Sequence, residues 1–137
     1  MKNSHLVILK KPYLEAILSG RKTIESRLMK HNRPPFGRVG GGDKLFFKIS
    51  SGPVCAVGRV KKVMQFENLT PERIDKIKHR YNGQILGSKE YWADKRTCKY
   101  AVLVQLERVK AIGPVRIDKK DWRAWVVLTE KENFGLG

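Results

Sequence analysis

Cysteine and histidine are scarce in this sequence of 137 residues, and neither is arranged to hold a metal. Cys55 and Cys98 lie far apart, each beside an apolar stretch, which favours buried thiols in a reducing compartment. His5, His31 and His79 lack the close spacing of metal ligands, and no CxxC or HExxH pattern occurs. The sequence therefore predicts two reduced thiols, no bound metal and no cofactor.

Long apolar runs are also missing. The longest, residues 101–104 and 125–128, fall far short of the roughly 20 residues that a membrane-spanning helix needs. The chain begins with only a few apolar residues before Lys10 and Lys11, which is unlike a secretory signal. We expect a soluble cytoplasmic protein that does not bind a membrane.

Acidic residues are few for a chain of this size. Asp and Glu number 13 against 29 Lys and Arg, a net charge of +16. Residues 1–68 hold 14 basic and 4 acidic residues, and residues 69–137 hold 15 and 9, so the excess is +10 in the first half and +6 in the second. Such a field favours a polyanionic partner, RNA with DNA as the alternative. A general effect on solubility or thermal adaptation is the alternative.

The length fits a single domain, residues 1–137, because the chain contains no linker, repeat or low-complexity tract. We expect a frayed tail after about residue 130. The periodicities predict helices over residues 12–19 and from Pro71 to about Tyr81, where Asn82 and Gly83 end the second helix. Strands are predicted over residues 5–10, 23–28, 44–50, 54–66 and 100–109, and the apolar run of residues 125–128 is expected to help close the domain.

Two further details follow from turn residues and aromatic side chains. Gly58 predicts a bend in a long strand, and Gly113 with Pro114 predicts a turn after residue 109. Trp122 and Trp125 are expected to close the domain. This order of elements, with little α/β alternation, predicts an α+β domain built on a small curved sheet or barrel.

The densest cluster of charge is the stretch of residues 20–27, Gly-Arg-Lys-Thr-Ile-Glu-Ser-Arg. Gly20 is expected to end the first helix, and in the strand that follows Thr23, Glu25 and Arg27 point the same way. On residues alone, two interpretations are about equal. Glu25 and Arg27 form a structural ion pair while Arg21 and Lys22 complement the helix end, or these side chains form a binding site.

The spacing Gly20-x-Lys22-x-x-Glu25-x-Arg27, after a strand and a helix, resembles the GxKxxExR signature of the ASCH domain family, in the PUA-like superfamily. The similarity runs from about Leu6 to about Leu128. It implies a PUA-like small mixed or antiparallel β-barrel flanked by helices, with a cleft beside the signature strand. It also implies RNA binding in that cleft, in RNA metabolism or translation-linked regulation.

The expected RNA contacts follow from charge and aromatic character. Arg21, Lys22 and Arg27 would contact phosphate, and Glu25 would orient Arg27 or accept a hydrogen bond from a base. The rest of the expected set is Lys30, Arg33 and Arg38 in a long basic loop, Lys48, and the pair Tyr91 and Trp92 among cations. The loop is alternatively a solvated connection, and Trp92 is more readily a core anchor than a base-stacking residue. A monomer is expected.

The resemblance also implies an enzymatic alternative, because some members hydrolyse N4-acetylcytidine and a ribonuclease activity is attributed to the family. The amidohydrolase pattern has a lysine at the position of Lys22, a threonine nucleophile at that of Glu25 and an acid on the inserted helix. Here Glu25 replaces the nucleophile and Thr23 lies two residues earlier, which disfavours acetylcytidine hydrolysis. Lys22 and Glu25 would then act as acid and base on a phosphodiester or nucleobase-like amide. A transcriptional adaptor surface has little support, since no partner-binding extension is attached.

Overall fold

A computed structural model describes residues 2–136, within which the chain forms six strands and three helices. The strands are β1 Ser4–Leu9, β2 Ile24–Met29, β3 Lys44–Ile49, β4 Val54–Phe66, β5 Tyr100–Val115 and β6 Trp125–Leu128. The helices are α1 Lys11–Leu18, α2 Pro71–Ile85 and α3 Lys89–Lys95. None of the helices in this part of the chain is long and apolar enough to cross a membrane.

The six strands form one mixed sheet in the order β2-β5-β4-β3-β1-β6. Strands β1 and β3 are parallel, and every other neighbouring pair is antiparallel. The sheet curls into a half-barrel, which confirms the predicted α+β class and PUA-like fold. Strands β2 and β6 are therefore its two edges, and the gap between them is called the seam below.

The predicted bend at Gly58 is confirmed, because the pairing of β4 with β5 shifts register between Val57 and Arg59. A Cβ at Gly58 would lie 3.1 Å from the side chain of Val109 and 3.2 Å from that of Phe47. These distances are shorter than ordinary Cβ contacts, so a side chain at this position would require both neighbours to move by a few tenths of an ångström. Glycine therefore suits the close packing at the bend.

Alternation along the strands divides the core into two sides of the sheet. On β5, Val102 and Val104 pack on the concave side together with α1, which contributes Leu14 and Ile17. The intervening Ala101 and Leu103 pack on the convex side against α2, α3 and part of β2. A third cluster joins β1, β3, β4 and β6 and includes the partly buried Phe134 and Leu136.

Helix α1 ends as the sequence predicts. Pro12 lies in its first turn, Leu14, Ala16 and Ile17 are buried, and Ser19 is its C-cap. Gly20 follows with φ of 80°. Glycine adopts this left-handed conformation without the steric cost that a Cβ carries, so the chain turns here into the signature stretch.

Helix α2 begins at its predicted cap, because the hydroxyl of Thr70 accepts from the backbone N–H of Arg73 at 3.3 Å. The predicted end at Asn82 and Gly83 is wrong, since the helix continues to Ile85 and ends at Leu86. Asn82 instead bonds the following loop: its Oδ1 accepts from the backbone N–H of Gly87 and its Nδ2 donates to the Gly87 carbonyl. Ile85 is buried in the convex core, and this burial favours the additional residues of the helix.

Two other expectations change. Strand β5 continues to Val115, so the turn predicted at Gly113 and Pro114 is wrong; pairing with β4 extends to Val54 opposite Val115. A register shift between Val54 and Ala56 accompanies this end of the ladder, where Pro114, which has no N–H, is tolerated. Helix α3 was not expected, although Ser88 caps it by accepting from the backbone N–H of Tyr91.

A buried hydrogen-bonded group joins β1 to β6 and to the turn before β3. Trp125 Nε1 donates to His5 Nδ1 at 3.0 Å, and His5 Nε2 lies 2.8 Å from Asp43 Oδ2. Since Nδ1 must accept, the imidazole is neutral and Nε2 carries the proton that Asp43 accepts. Burial lowers the pKa of His5, against the opposing effect of Asp43.

The neutral His5 makes stability depend on pH. Because its folded-state pKa lies below 6.5, the unfolded chain takes up the proton first as the pH falls, and the free energy of unfolding decreases. Between about pH 7.5 and about pH 5.5, we expect wild type to lose roughly 1 kcal/mol more than His5→Gln, which keeps a donor and an acceptor but does not titrate. Urea denaturation at both pH values measures the difference.

His31→Gln is the matched control, because His31 is exposed and its replacement leaves the buried network intact. It should retain the pH dependence of wild type. The assignment of a neutral buried His5 is contradicted by equal pH dependence in His5→Gln and His31→Gln.

Candidate functional site

Glu25 and Arg27 occupy the concave face of β2, as the predicted alternation requires. Glu25 pairs with Val104 and Arg27 with Val102 on β5, and both valines belong to the concave core. Ile24, just before Glu25, and Leu28, just after Arg27, pack on the convex side. The signature strand therefore places a carboxylate and a guanidinium where the neighbouring strand places apolar side chains.

Lys22 joins this pair from the turn after α1. Its side chain is almost fully buried, with 3% of the residue exposed, and its Nζ donates to the carbonyl of Ile85 at the end of α2. The same nitrogen lies 3.5 Å from Glu25 Oε1 and 5.3 Å from the centre of the Tyr13 ring. Burial lowers the pKa of Lys22, and the charge of Glu25 opposes that effect.

Glu25 is the common acceptor of the cluster. Its Oε2 accepts from Arg27 at 2.9 Å, and its Oε1 accepts from the backbone N–H of Ser26 at 3.1 Å. Two cations therefore share one carboxylate, which is 5% exposed. The three side chains, called the signature triad below, carry a net charge of +1.

Arg27 also reaches across the seam. Its Nη2 donates to the carbonyl of Ile8 on β1 at 3.1 Å, and its Nη1 donates to that of Ala124, just before β6, at 3.3 Å. The guanidinium carbon lies 5.3 Å from the ring centre of Trp125. A side chain on one edge strand thus bonds the backbone at the opposite edge, where Ile8 N donates to Ala124 O at 2.9 Å.

A cleft of about 1010 Å³ opens along the seam above the signature triad. The triad and Ser26 line it together with Tyr13, Tyr91 and Trp125. The hydroxyl of Tyr91 lies 2.7 Å from Ser26 Oγ, and burial raises the pKa of Tyr91. The charged residues that line the cleft are seven cations (Lys10, Lys22, Arg27, Arg33, Arg38, Lys95 and Arg123) and four acids (Glu25, Glu90, Asp94 and Glu132), a net charge of +3.

The structure brings six of the expected site residues together at this cleft: Lys22, Glu25, Arg27, Arg33, Arg38 and Tyr91. Arg21 is exposed outside it and donates to Ser19 Oγ at 3.0 Å. Lys30 lines a smaller adjoining depression of about 400 Å³, which Arg33 and Lys95 share. Thr23 is exposed and does not line the cleft.

Lys48 and Trp92 lie away from the cleft. Lys48 projects from β3, where its pKa is lowered by burial and by the charges of Lys119 and Arg116. Trp92 is 3% exposed in the convex core, and its Nε1 donates to Asn82 Oδ1 at 2.9 Å. The core-anchor interpretation of Trp92 is therefore the one that the structure supports, and its ring is not available to a base.

Trp122 is the residue that sequence reasoning placed wrongly. It was expected to close the domain with Trp125, but it is 98% exposed and lines the cleft. Its neighbours in sequence, Asp121 and Arg123, gave a signal, because a lone aromatic inside a charged segment is typical of a surface loop. Tyr13 and Lys10 were also missed, since the amphipathic pattern of α1 accounted for both without a site.

The requirements of a metal site also bear on what the cleft can hold. Within residues 2–136, no three His, Cys, Asp or Glu side chains converge as metal ligands would. The cleft instead offers N–H donors, aromatic faces and a net positive charge, which suit an anionic or carbonyl-bearing ligand.

The curled half-barrel of six strands with three helices is a PUA-like fold. The ASCH domain family model matches residues 7–129, and the chain belongs to the ASCH domain family. Members of this family are generally linked to RNA binding. No match is found by sequence among curated proteins.

Solved structures agree with this fold. The crystal structure of ASCH from Zymomonas mobilis has a TM-score of 0.73 to this chain and 16% identity, over 94% of this chain and 90% of that one. A point mutant of the same protein has a TM-score of 0.70 and 17% identity over the same shares. The hypothetical protein PH0355 has a TM-score of 0.52 and 21% identity, over 82% of this chain and 100% of that one. At these identities the likeness shows the fold alone.

The shared carboxylate predicts a large effect on stability. Glu25→Ala leaves Lys22 and Arg27 close together without their common partner, and removing one partner of a buried ion pair costs about 3–5 kcal/mol. Since Arg27 is partly solvated, we expect a loss near the lower end of that range. Urea denaturation measures the free energy of unfolding.

Glu130→Ala is the matched control, because this glutamate is exposed and its loss should change stability by less than about 0.5 kcal/mol. Equal stability of the two variants would show that the triad does not need its carboxylate.

Proposed function

We propose that this protein binds single-stranded RNA by receiving one unpaired nucleotide in the seam cleft. The observation that carries the proposal is the surplus of N–H donors on a net positive triad at the cleft floor. A donor-rich floor suits the carbonyl oxygens of a base or the oxygens of a phosphate.

The surplus follows from counting donors against their partners within residues 2–136. Lys22 has three N–H groups, of which one donates to Ile85 and a second faces Glu25 at 3.5 Å. Arg27 has five, of which three are used on Glu25, Ile8 and Ala124. One donor on Lys22 and two on Arg27 are thus left for a ligand.

The surroundings of the floor favour a nucleotide over a small anion. Tyr13, Tyr91 and Trp125 line the cleft with aromatic surface, and Arg33 and Arg38 bring charge to it from the long basic loop. A cleft of about 1010 Å³ is at the upper end of the usual range for small-molecule sites, so it has room for a whole nucleotide.

Single-stranded RNA is the better fit, because a recessed floor reaches only a base that has left its stack. Paired bases in A-form RNA present their edges in grooves that a pocket of this shape does not enter. The cations outside the cleft would contact the phosphates on either side of the inserted nucleotide. An RNA-metabolic or translation-linked role remains a prediction from the resemblance.

A hydrolase acting on RNA or a modified nucleoside is the second candidate. The observation that favours it is Lys22, whose pKa is lowered by burial and which lines the cleft, as a general base requires. Glu25 is less suited to proton transfer, because it already accepts from Arg27 and from the Ser26 N–H. Thr23 lies outside the cleft and would not serve as a nucleophile there.

Fluorescence anisotropy of a labelled single-stranded RNA tests the binding proposal. Lys22→Met removes a floor donor and should weaken binding by about 10-fold, the loss of one charge-assisted hydrogen bond. Arg21→Gln removes the same charge from the adjacent exposed position and should weaken binding much less. Binding should also weaken steeply with salt, by the release of counterions from the RNA.

Urea denaturation of both variants separates lost binding from lost folding, and Arg38→Gln supplies a second cleft variant on an exposed side chain. A DNA strand of the same sequence tests the RNA preference. The proposal is overturned if wild type does not bind, or if Lys22→Met and Arg21→Gln weaken binding equally. Shortened RNA on a gel, abolished by Lys22→Met, would establish the hydrolase instead.

A further inference from the structure

Trp122 stands apart from the other large apolar residues of this protein. It is 98% exposed, whereas the next most exposed large apolar residues, Val115 and Leu18, are 42% and 40% exposed. A single exposed apolar residue is ordinary, but this one is an entire indole ring at the edge of the candidate cleft. Packing of the core does not explain why a ring of this size is exposed there.

The loop that carries Trp122, residues 116–124 between β5 and β6, is braced by charge on both sides of the ring. Asp121 accepts from Lys119 Nζ at 2.9 Å and from Arg123 Nη2 at 2.7 Å. Its Oδ1 also accepts from the backbone N–H of Arg123 at 2.9 Å, which spans the position of Trp122. Arg123 is bonded in turn to Glu132. These contacts hold the backbone around Trp122 rather than its ring.

The far end of the same loop is fixed to the cleft floor. Ala124, two residues after Trp122, accepts from Arg27 Nη1 at 3.3 Å, and Trp125 follows beside the guanidinium. The exposed indole is therefore joined through two residues to the side chain that carries unused donors.

We infer that Trp122 stacks on the inserted base and covers it while the polar edge of that base meets Lys22 and Arg27, an inference that rests on the proposed function. Stacking on an aromatic side chain suits every base, since each has a π face. The ring would become buried only when RNA is bound. The triad and Trp122 would thus contact two different parts of one nucleotide, its edge and its face.

Tryptophan fluorescence tests this directly, because Trp92 and Trp125 are 3% and 5% exposed and acrylamide reaches chiefly Trp122. We expect a short oligouridylate to reduce acrylamide quenching of wild type to the level of Trp122→Phe. By anisotropy, Trp122→Ala should lose about 5- to 150-fold in affinity for that RNA. Trp122→Phe, which keeps an aromatic face, should recover most of this loss.

Leu18→Ala is the control, since Leu18 is exposed and does not line the cleft. It should bind as wild type does. Unchanged affinity of Trp122→Ala, together with quenching that RNA does not alter, overturns the role of Trp122 while a loss in Lys22→Met leaves the cleft proposal standing. Absence of binding by wild type overturns both. An equal loss in Trp122→Ala and Trp122→Phe also contradicts stacking.

Discussion

The guanidinium of Arg27 holds together the two edges of a sheet that does not close by strand pairing. Strands β2 and β6 lie at opposite ends of the strand order, and Arg27 on β2 donates across the seam to Ile8 on β1 and to Ala124, just before β6. Through Trp125 this contact continues to His5 and Asp43, and through Glu25 it continues to Lys22. The signature residues and the turn before β3 are therefore parts of one connected polar network. The seam cleft lies beside this network, and Arg27 contacts the backbone across the seam from its own strand.

Stability alone does not account for this network. Two cations and one carboxylate on the concave face carry a desolvation cost, and well-packed apolar residues of similar volume are often equally stabilising at such positions. Valines occupy the equivalent face of the neighbouring strand without difficulty. What apolar residues would not supply is the set of donors left on Lys22 and Arg27. The ion pairs of Glu25 with Lys22 and Arg27 support the structural interpretation of the signature, and the proposed function assigns a binding role to the same side chains.

Local patterns predicted the parts of the molecule that depend on local causes. The glycine after α1, the cap at Thr70 and the alternation that aligns Glu25 with Arg27 each follow from backbone geometry within a few residues. The failures have distant causes. Helix α2 passes Asn82 because the side chain of that residue bonds Gly87 and Trp92, and β5 passes Gly113 because β4 is there to pair with it. The aromatic residues show the limit best. Charged neighbours flank exposed Trp122, but buried Trp92 also lies among charged residues, so this local signal does not separate the two. Burial of each ring depends on which element packs above it.

Most of the net positive charge of the protein lies outside the seam cleft. Lining residues contribute +3 to the cleft, so about +13 of the net +16 lies elsewhere on the molecule. Lys30, Lys48 and Arg21 belong to this remainder, although residue type and charge alone did not separate them from the site. Under the proposed function, these two sets of charges would act differently. A diffuse positive field would draw RNA of any sequence to the surface and account for most of the salt dependence of binding. Selection among nucleotides requires atoms at fixed positions, and in the proposal these are the donors of Lys22 and Arg27 in the seam cleft.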